Sequence, residues 1–480
     1  MRCWAAILSG TILALIAGCV VGPNYQPPSE RAPQKWTTPL TAGESDAPAA
    51  LASWWRSFKD PELDTFMGTA VRSNLTVRVA EEHVREARAQ REVAAGGRWP
   101  SAAVSAAYSR NRYPGNAFPP ASLFPGLPLD YDLYNVGFDA AWELDLFGGV
   151  RRAVEASNAQ LGAAEYARRD VLVSVLAEVA RNYIDARAYQ ERLAITRENV
   201  RAEQDILGLT RSRYENGIAS DLDVEQANAL LTATQAQLPA LESGIAQAVH
   251  HLSVLLGEDP GAMIERMSGA KPIPLTPPVV PVGVPSDLLR RRPDVERAER
   301  ELAASTAEIG VVKADLFPKF SLTGVAGLES TSTGNLLEYA SRYWTVGPTI
   351  QWKFFEGGRL RANVRVQEAR AEQALDTYRQ TVLIALEDTE NALVAYAKEQ
   401  ARRRSLAQSV QSSQAAFRLS SELYRSGLVD FLNVLDTERN LYAAQDALVA
   451  STESVSLDLV QLYKALGGGW QEDSAPESGP

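Results

Sequence analysis

The chain has 480 residues, 45% of them hydrophobic, with 48 Lys and Arg against 59 Asp and Glu and a formal net charge of −11. The length suggests two or three domains, and the acidic balance argues against nucleic acid as a partner. The three histidines, His83, His250 and His251, fall in helical patterns without an Asp, Glu or Cys cluster at ligand spacing, and no GxSxG, HExxH or phosphate-cradling glycine loop is present, so nothing proposes an enzyme or a resident cofactor.

At the N-terminus, Arg2 supplies a positive start and Ala5 to Ala17 an apolar stretch too short to span a bilayer. Small residues then lead into Leu15-Ile16-Ala17-Gly18-Cys19, which resembles a bacterial lipoprotein signal. The resemblance implies a signal peptide over 1–18 and cleavage before Cys19. Cys19 would carry a diacylglycerol on its thiol and an acyl chain on the new N-terminus. Val20 stands where the inner-membrane retention signal of such lipoproteins has Asp, which favours the outer membrane. Cys3 leaves with the signal, so the mature chain has one cysteine and no disulfide. Residues 19–61 form the lipidated N-terminal segment.

A duplication organises the rest of the chain. Val77 to Ser109 aligns without gaps on Val295 to Gly327, with Trp99-Pro100 matching Phe317-Pro318, and Tyr214-Glu215-Asn216-Gly217 matches Tyr424-Arg425-Ser426-Gly427 further on. The first repeat covers 62–256 and the second 293–466. A Pro-rich linker, 257–292, joins them, and a flexible tail, 467–480, ends the chain. Each repeat reads helix, strand, loop, strand, very long helix, tight turn, return helix. Gly149 to Glu215 and Gly358 to Arg425 contain no proline, and a helix of about 67 residues is ~100 Å long. Leu161, Ala164, Val171, Leu172, Val175, Leu176 and Val179 recur at the spacing of helices packed side by side. The return helices are predicted over Asp221 to Leu256 and Asp430 to Leu466, and the helices before the strands near Glu62 to Gly96 and Pro293 to Leu316.

Four strands stand out. From Tyr134 to Phe147 the even positions are Tyr134, Val136, Phe138, Ala140, Trp142, Leu144 and Leu146, while Asn135, Asp139, Glu143 and Asp145 fall between them. Such alternation gives one oily and one wet face. Trp344, Val346, Pro348, Ile350, Trp352 and Phe354 repeat the pattern, and Ala102 to Tyr108 and Phe320 to Leu328 are shorter partners. Strands of about ten residues with terminal aromatics match a transmembrane barrel. A soluble sheet packed on helices is the alternative, disfavoured by the lipid signal. Four strands cannot close a barrel, so the chain must oligomerise. Eight strands would be filled by side chains, whereas the acidic and polar inward positions want water, which selects a trimer of twelve. The fold class is therefore a membrane β-barrel continued by a long α-helical barrel in the periplasm.

The lipobox followed by Val21-Gly22-Pro23-Asn24-Tyr25, the duplicated unit, Arg291-Arg292-Pro293-Asp294 and the ending Leu462-Tyr463-Lys464-Ala465-Leu466-Gly467-Gly468-Gly469-Trp470 resemble the outer membrane factor (TolC-like) family, in its branch of OprM- and NodT-like efflux lipoproteins. The resemblance covers essentially the whole mature chain. It implies a homotrimeric channel-tunnel in the outer membrane, joined by a periplasmic adaptor to an inner-membrane pump and exporting drugs or other small molecules. The same channel serving a metal-ion pump or a type I secretion system remains a second reading, although only Met67, Met263 and Met267 follow the signal as thioethers. A third is a structural trimeric lipoprotein whose loop Tyr113 to Asp132 binds a surface partner. The hairpin tips, with Gly217 and Gly427 at the turns and Asp221 and Asp430 able to cap the return helices, are the adaptor-docking candidates. By resemblance, Tyr424 and Asp223 match a gate latch and Asp436 a ring of carboxylates at the closed entrance. Val429 and Asn433 replace charged residues of some relatives, leaving this gate less charged.

Overall fold

The computed structural model describes residues 20–29, 33–40, 43–45, 47, 51–114 and 129–471. Cys19 and the signal before it lie outside the described residues, as do residues 115–128 of the outer loop and the last residues of the tail. The chain forms two compact units. One holds the described parts of Met1–Pro28, Arg85–Ala163 and Glu299–Thr377, the other those of Ser29–Val84, Ala164–Ala298 and Tyr378–Pro480.

The first unit is built on a sheet of four antiparallel strands, β1 (Ser101–Arg112), β2 (Asp130–Leu144), β3 (Lys319–Ser330) and β4 (Arg342–Gln351), in the order β1-β2-β3-β4. The two repeats therefore meet at the β2–β3 pairing. Phe138 lies opposite Val104 and Ala326, Trp142 opposite Leu322, and Trp344 opposite Ala326, which gathers the oily positions onto one face. Asn135, Asp139, Thr323, Glu329, Tyr343 and Thr349 share the other. There Ser105 donates to Asp139 at 3.1 Å, and Asn135 Nδ2 donates to Glu329 at 3.2 Å and to Tyr343 at 3.0 Å. Strand β2 stops before the expected Phe147 for a local reason. The Asp145 carboxylate accepts from the backbone N–H groups of Val150 and Arg151 and so caps the helix after it. The duplication is visible in the strand ends as well: Trp142 Nε1 donates to the Arg98 carbonyl at 3.0 Å and Trp352 Nε1 to that of Leu316 at 3.1 Å.

Helices dominate the remainder: α1 (Pro61–Ser73), α2 (Leu75–Gly96), α3 (Gly149–Glu215), α4 (Asp221–Gln235), α5 (Leu238–Leu255), α6 (Pro285–Arg291), α7 (Pro293–Ala314), α8 (Arg359–Arg425) and α9 (Phe431–Ala465). The two long helices, α3 and α8, have 67 residues each. Among the described residues, no helix is long and apolar enough to cross a membrane. Two expected helices are broken. Asn74 interrupts the first, its side chain accepting from Val77 N at 3.0 Å while donating to the Leu255 carbonyl at 2.8 Å. Pro239, which has no N–H to donate, splits the first return helix into α4 and α5, whereas α9 contains no proline and runs 35 residues unbroken.

The core of the second unit includes Trp54, Phe66, Leu176, Tyr183, Leu252, Tyr396, Leu459 and Tyr463. The expected linker 257–292 contributes to it: Met267, Ile273, Val280 and Leu288 are buried, and Val280–Pro281 pairs in parallel with Glu44–Ser45. Apolar residues drawn into the core fix this segment despite its prolines. The expected loose tail likewise begins too early. Trp470 Nε1 donates to the Arg291 carbonyl at 2.9 Å and Gly469 N to that of Leu51 at 2.9 Å, while Arg292 holds Asp294, Asp388 and the Ala465 carbonyl. The Arg-Arg-Pro-Asp and Gly-Gly-Gly-Trp signatures are thus two halves of one clasp. A buried Arg187 forms another. Its guanidinium donates to Glu62, to Gln190 at 2.7 Å and to the Gly269 carbonyl at 2.7 Å, and Lys271 Nζ reaches the same Glu62 at 2.8 Å.

Candidate functional site

The two hairpin tips close with the same backbone device. Gly217 and Gly427 have φ of +73° and +74°, the left-handed cap that only glycine adopts freely. Ile218 N then donates to the Arg213 carbonyl at 2.8 Å and Leu428 N to that of Leu423 at 2.9 Å, satisfying the last carbonyls of α3 and α8. Side-chain capping differs from the expectation. Ser220, and not Asp221, is the N-cap of α4: its hydroxyl accepts from Asp223 N at 3.2 Å while the Asp223 carboxylate accepts from Ser220 N at 2.9 Å. In the repeat register Ser220 occupies the place of Asp430, which does sit at the N-cap of α9 but makes no side-chain cap bond.

Tyr424 and Asp223 are not joined within the chain. The Asp223 carboxylate is occupied by its capping box, and the Tyr424 hydroxyl is buried without a partner. What joins the two tips is Arg213. Its Nη1 donates to the Tyr424 carbonyl at 2.7 Å, and its guanidinium lies 4.5 Å from the centre of the Tyr424 ring. Phe431 packs against that ring at a tilt, with centroids 5.6 Å apart, and Val434, Leu435 and Ala227 complete a small apolar core. Sequence reasoning missed Arg213 by matching the tyrosines alone. The signal was the break in the repeat, since Arg213 aligns on Leu423, and Tyr214 stays 45% exposed where Tyr424 is 5% exposed. Asp436 is exposed on α9 and accepts from Asn440 at 3.3 Å.

This arrangement fixes the response of the tips to mutation. Arg213→Ala removes a backbone hydrogen bond and a ring contact, together on the order of 1 to 2 kcal/mol. Amide hydrogen exchange at both tips should then rise about tenfold. Tyr424→Phe deletes a hydroxyl that has no partner and should leave exchange unchanged or slower, whereas Asp223→Ala should cost about 1 kcal/mol at the start of α4. Faster exchange in Tyr424→Phe than in Arg213→Ala would show that the hydroxyl holds the tips.

A sheet with one oily face and two long paired helices define the class: an outer-membrane channel with a β domain and a long helical tunnel, the fold of the trimeric channels. Residues 67–258 and 284–468 match the family model described as outer membrane efflux protein, and the chain belongs to that family. It is 34% identical over 461 residues to the pyoverdine export outer membrane protein OpmQ of Pseudomonas aeruginosa, covering 96% of each chain. It is 31% identical over 463 residues to nodulation protein T of Rhizobium leguminosarum bv. viciae, covering 95% of this chain and 92% of that one. The solved outer-membrane channel OprN superposes with a TM-score of 0.87 at 36% identity, over 95% of this chain and 100% of that chain. The protein is an outer-membrane efflux channel whose helices extend into the periplasm.

Proposed function

We propose that three copies of the chain form a conduit that engages a periplasmic adaptor and an inner-membrane pump, and that passes small organic molecules outward without chemical change. The observation that carries this reading is the sheet: four strands with one apolar face and, among the described residues, no partner on the outer edges of β1 and β4. A bilayer tolerates no such edge, and twelve strands from three chains enclose a lumen wide enough for solutes. The tips supply the docking end. Beside Gly217, Asp221, Gly427 and Asp430 they expose Ile218, Leu222, Leu428 and Leu432, apolar side chains suited to covering by an adaptor. Three copies of Asp436 at that entrance would repel one another and favour cations. Metal export is disfavoured because Met67, Met263 and Met267 are all buried in the core.

Accumulation of a panel of dyes, antibiotics, siderophores and metal ions in a strain lacking the chain tests this reading. The wild-type chain should restore export of organic compounds and leave metal ions unaffected. Cys19→Ala should take no acyl label yet still restore export, because the barrel supplies its own anchor. Restored export of metal ions alone would reverse the substrate assignment.

A further inference from the structure

Behind the tips, α3, α4 and α9 enclose two carboxyl groups that no ion pair explains. Glu203 on α3 is 2% exposed and Glu438 on α9 is 1% exposed. Thr234 of α4 donates its hydroxyl to Glu203 Oε1 at 2.8 Å, and Tyr442 of α9 donates to Glu438 Oε1 at 2.8 Å. Glu203 Oε2 is buried with no partner. Neither carboxyl has a cationic partner among the described residues. Glu198 and Asp205 of α3 and Arg418, Glu422 and Arg425 of α8 line, together with Tyr442, an adjoining cavity of about 930 Å³. From α4 the facing group is the Thr234 hydroxyl. Assembly with other copies can add to this burial and cannot remove it.

We propose that Glu203 and Glu438 form a proton-sensitive brace: the packing of α3, α4 and α9 behind the tips holds while these carboxyls are protonated and loosens as they ionise. Two buried carboxylates without a cation are costly to ionise together, and they titrate as a pair. Burial pushes both up from 4.5 to about 7, and Glu438 adds to the rise at Glu203. A loosened state returns both groups to water and to their ordinary value. Below about pH 4.5 both states are protonated, and pH has no leverage. Between that value and about 7 the packed state keeps a proton that the loosened state releases, so loosening grows with pH, by up to about tenfold per unit for each such carboxyl. Above about 7 the effect levels off.

The brace rests on the reading of the tips as the entrance only where it is taken to act on flow. Its test is amide hydrogen exchange of the full-length protein in detergent from pH 5 to 8, corrected for intrinsic exchange. Opening of the segments around Glu203 and Glu438 should increase between about tenfold and a hundredfold per pH unit as pH approaches 7 and then plateau. Glu203→Gln and Glu438→Gln keep shape and hydrogen bonding but cannot ionise, and together they should flatten the profile. Tyr442→Phe removes a donor to the charged form and should carry the rise to higher pH. Should the double variant fail to assemble, Glu438→Gln and Tyr442→Phe decide the matter singly. A flat wild-type profile, or the same rise in the Gln variants, overturns the brace. A pH-dependent exchange that needs both Glu residues supports it even where conductance in planar bilayers stays flat, an outcome that would count instead against the tips as the gate.

Discussion

Phe138→Arg is expected to prevent the protein from accumulating in the outer membrane, while Thr323→Arg leaves it in place. Phe138 is mid-strand on β2, 51% exposed, flanked by Val104 and Ala326 on the apolar face. Thr323 is equally mid-strand on β3 and also exposed, but on the opposite face. An arginine facing lipid at the midplane costs roughly 2–4 kcal/mol per chain, at least about 30-fold in the insertion equilibrium, whereas an arginine facing water costs little. Fractionation of outer membranes and quantitation of heat-modifiable trimer read the difference. Equal behaviour of the two variants would mean that both faces see the same medium, and the transmembrane assignment of the sheet would fail.

Arg187→Met should destabilise the helical unit by about 3–5 kcal/mol, since it leaves the largely buried Glu62 carboxylate with only the half-exposed Lys271 beside it and orphans Gln190 Oε1 and the Gly269 carbonyl. Tyr183, stacked 5.0 Å from the guanidinium and bonded to Asp60 at 2.7 Å, loses its packing partner as well. The half-life of the trimer against thermal unfolding in detergent is the suitable measure, because it reads the unfolding rate and does not require the unfolding to be reversible. Combining Arg187→Met with Glu62→Gln should recover much of the loss, since the isolated charge is then gone. A single variant as long-lived as wild type would show that the clasp orders the segment without stabilising it.

The long periodic elements were legible from sequence because their patterns are set by local geometry. A proline-free run with Ala, Leu and Val at helical spacing can only be α3 or α8, and strict alternation through Phe138 and Trp142 can only be a two-faced strand. Breaks were legible in part: Pro239 is a local reason for the split between α4 and α5, and Asn74 caps α2 locally by accepting from Val77 N, but its second bond, donated to the Leu255 carbonyl 181 residues away, is one that no local pattern reveals. The site was less legible. Position alone located Gly217 and Gly427, whereas the partner of Tyr424 depends on which side chain reaches across between hairpins, and that proved to be Arg213. Glu203 and Glu438 read as ordinary polar positions on amphipathic helices until the packing put both inside.

The hold on the N-terminal segment sets where a lipid could sit. Val21 N donates to the Phe147 carbonyl at 3.1 Å, Arg152 donates to the carbonyls of Val21 and Gly22 and to Asn24, and Val20 lies so close to Gly148 that a side chain there would strike it at 2.9 Å. Were the residue before Val20 to carry the lipid that the lipobox resemblance implies, its backbone would join the chain one peptide unit, about 3.8 Å, from a segment fastened just past the end of β2. A lipid so joined would hang from the wall of the sheet like a plumb line, its point of attachment set by the hold on Val20 and Val21 and not by a free tether.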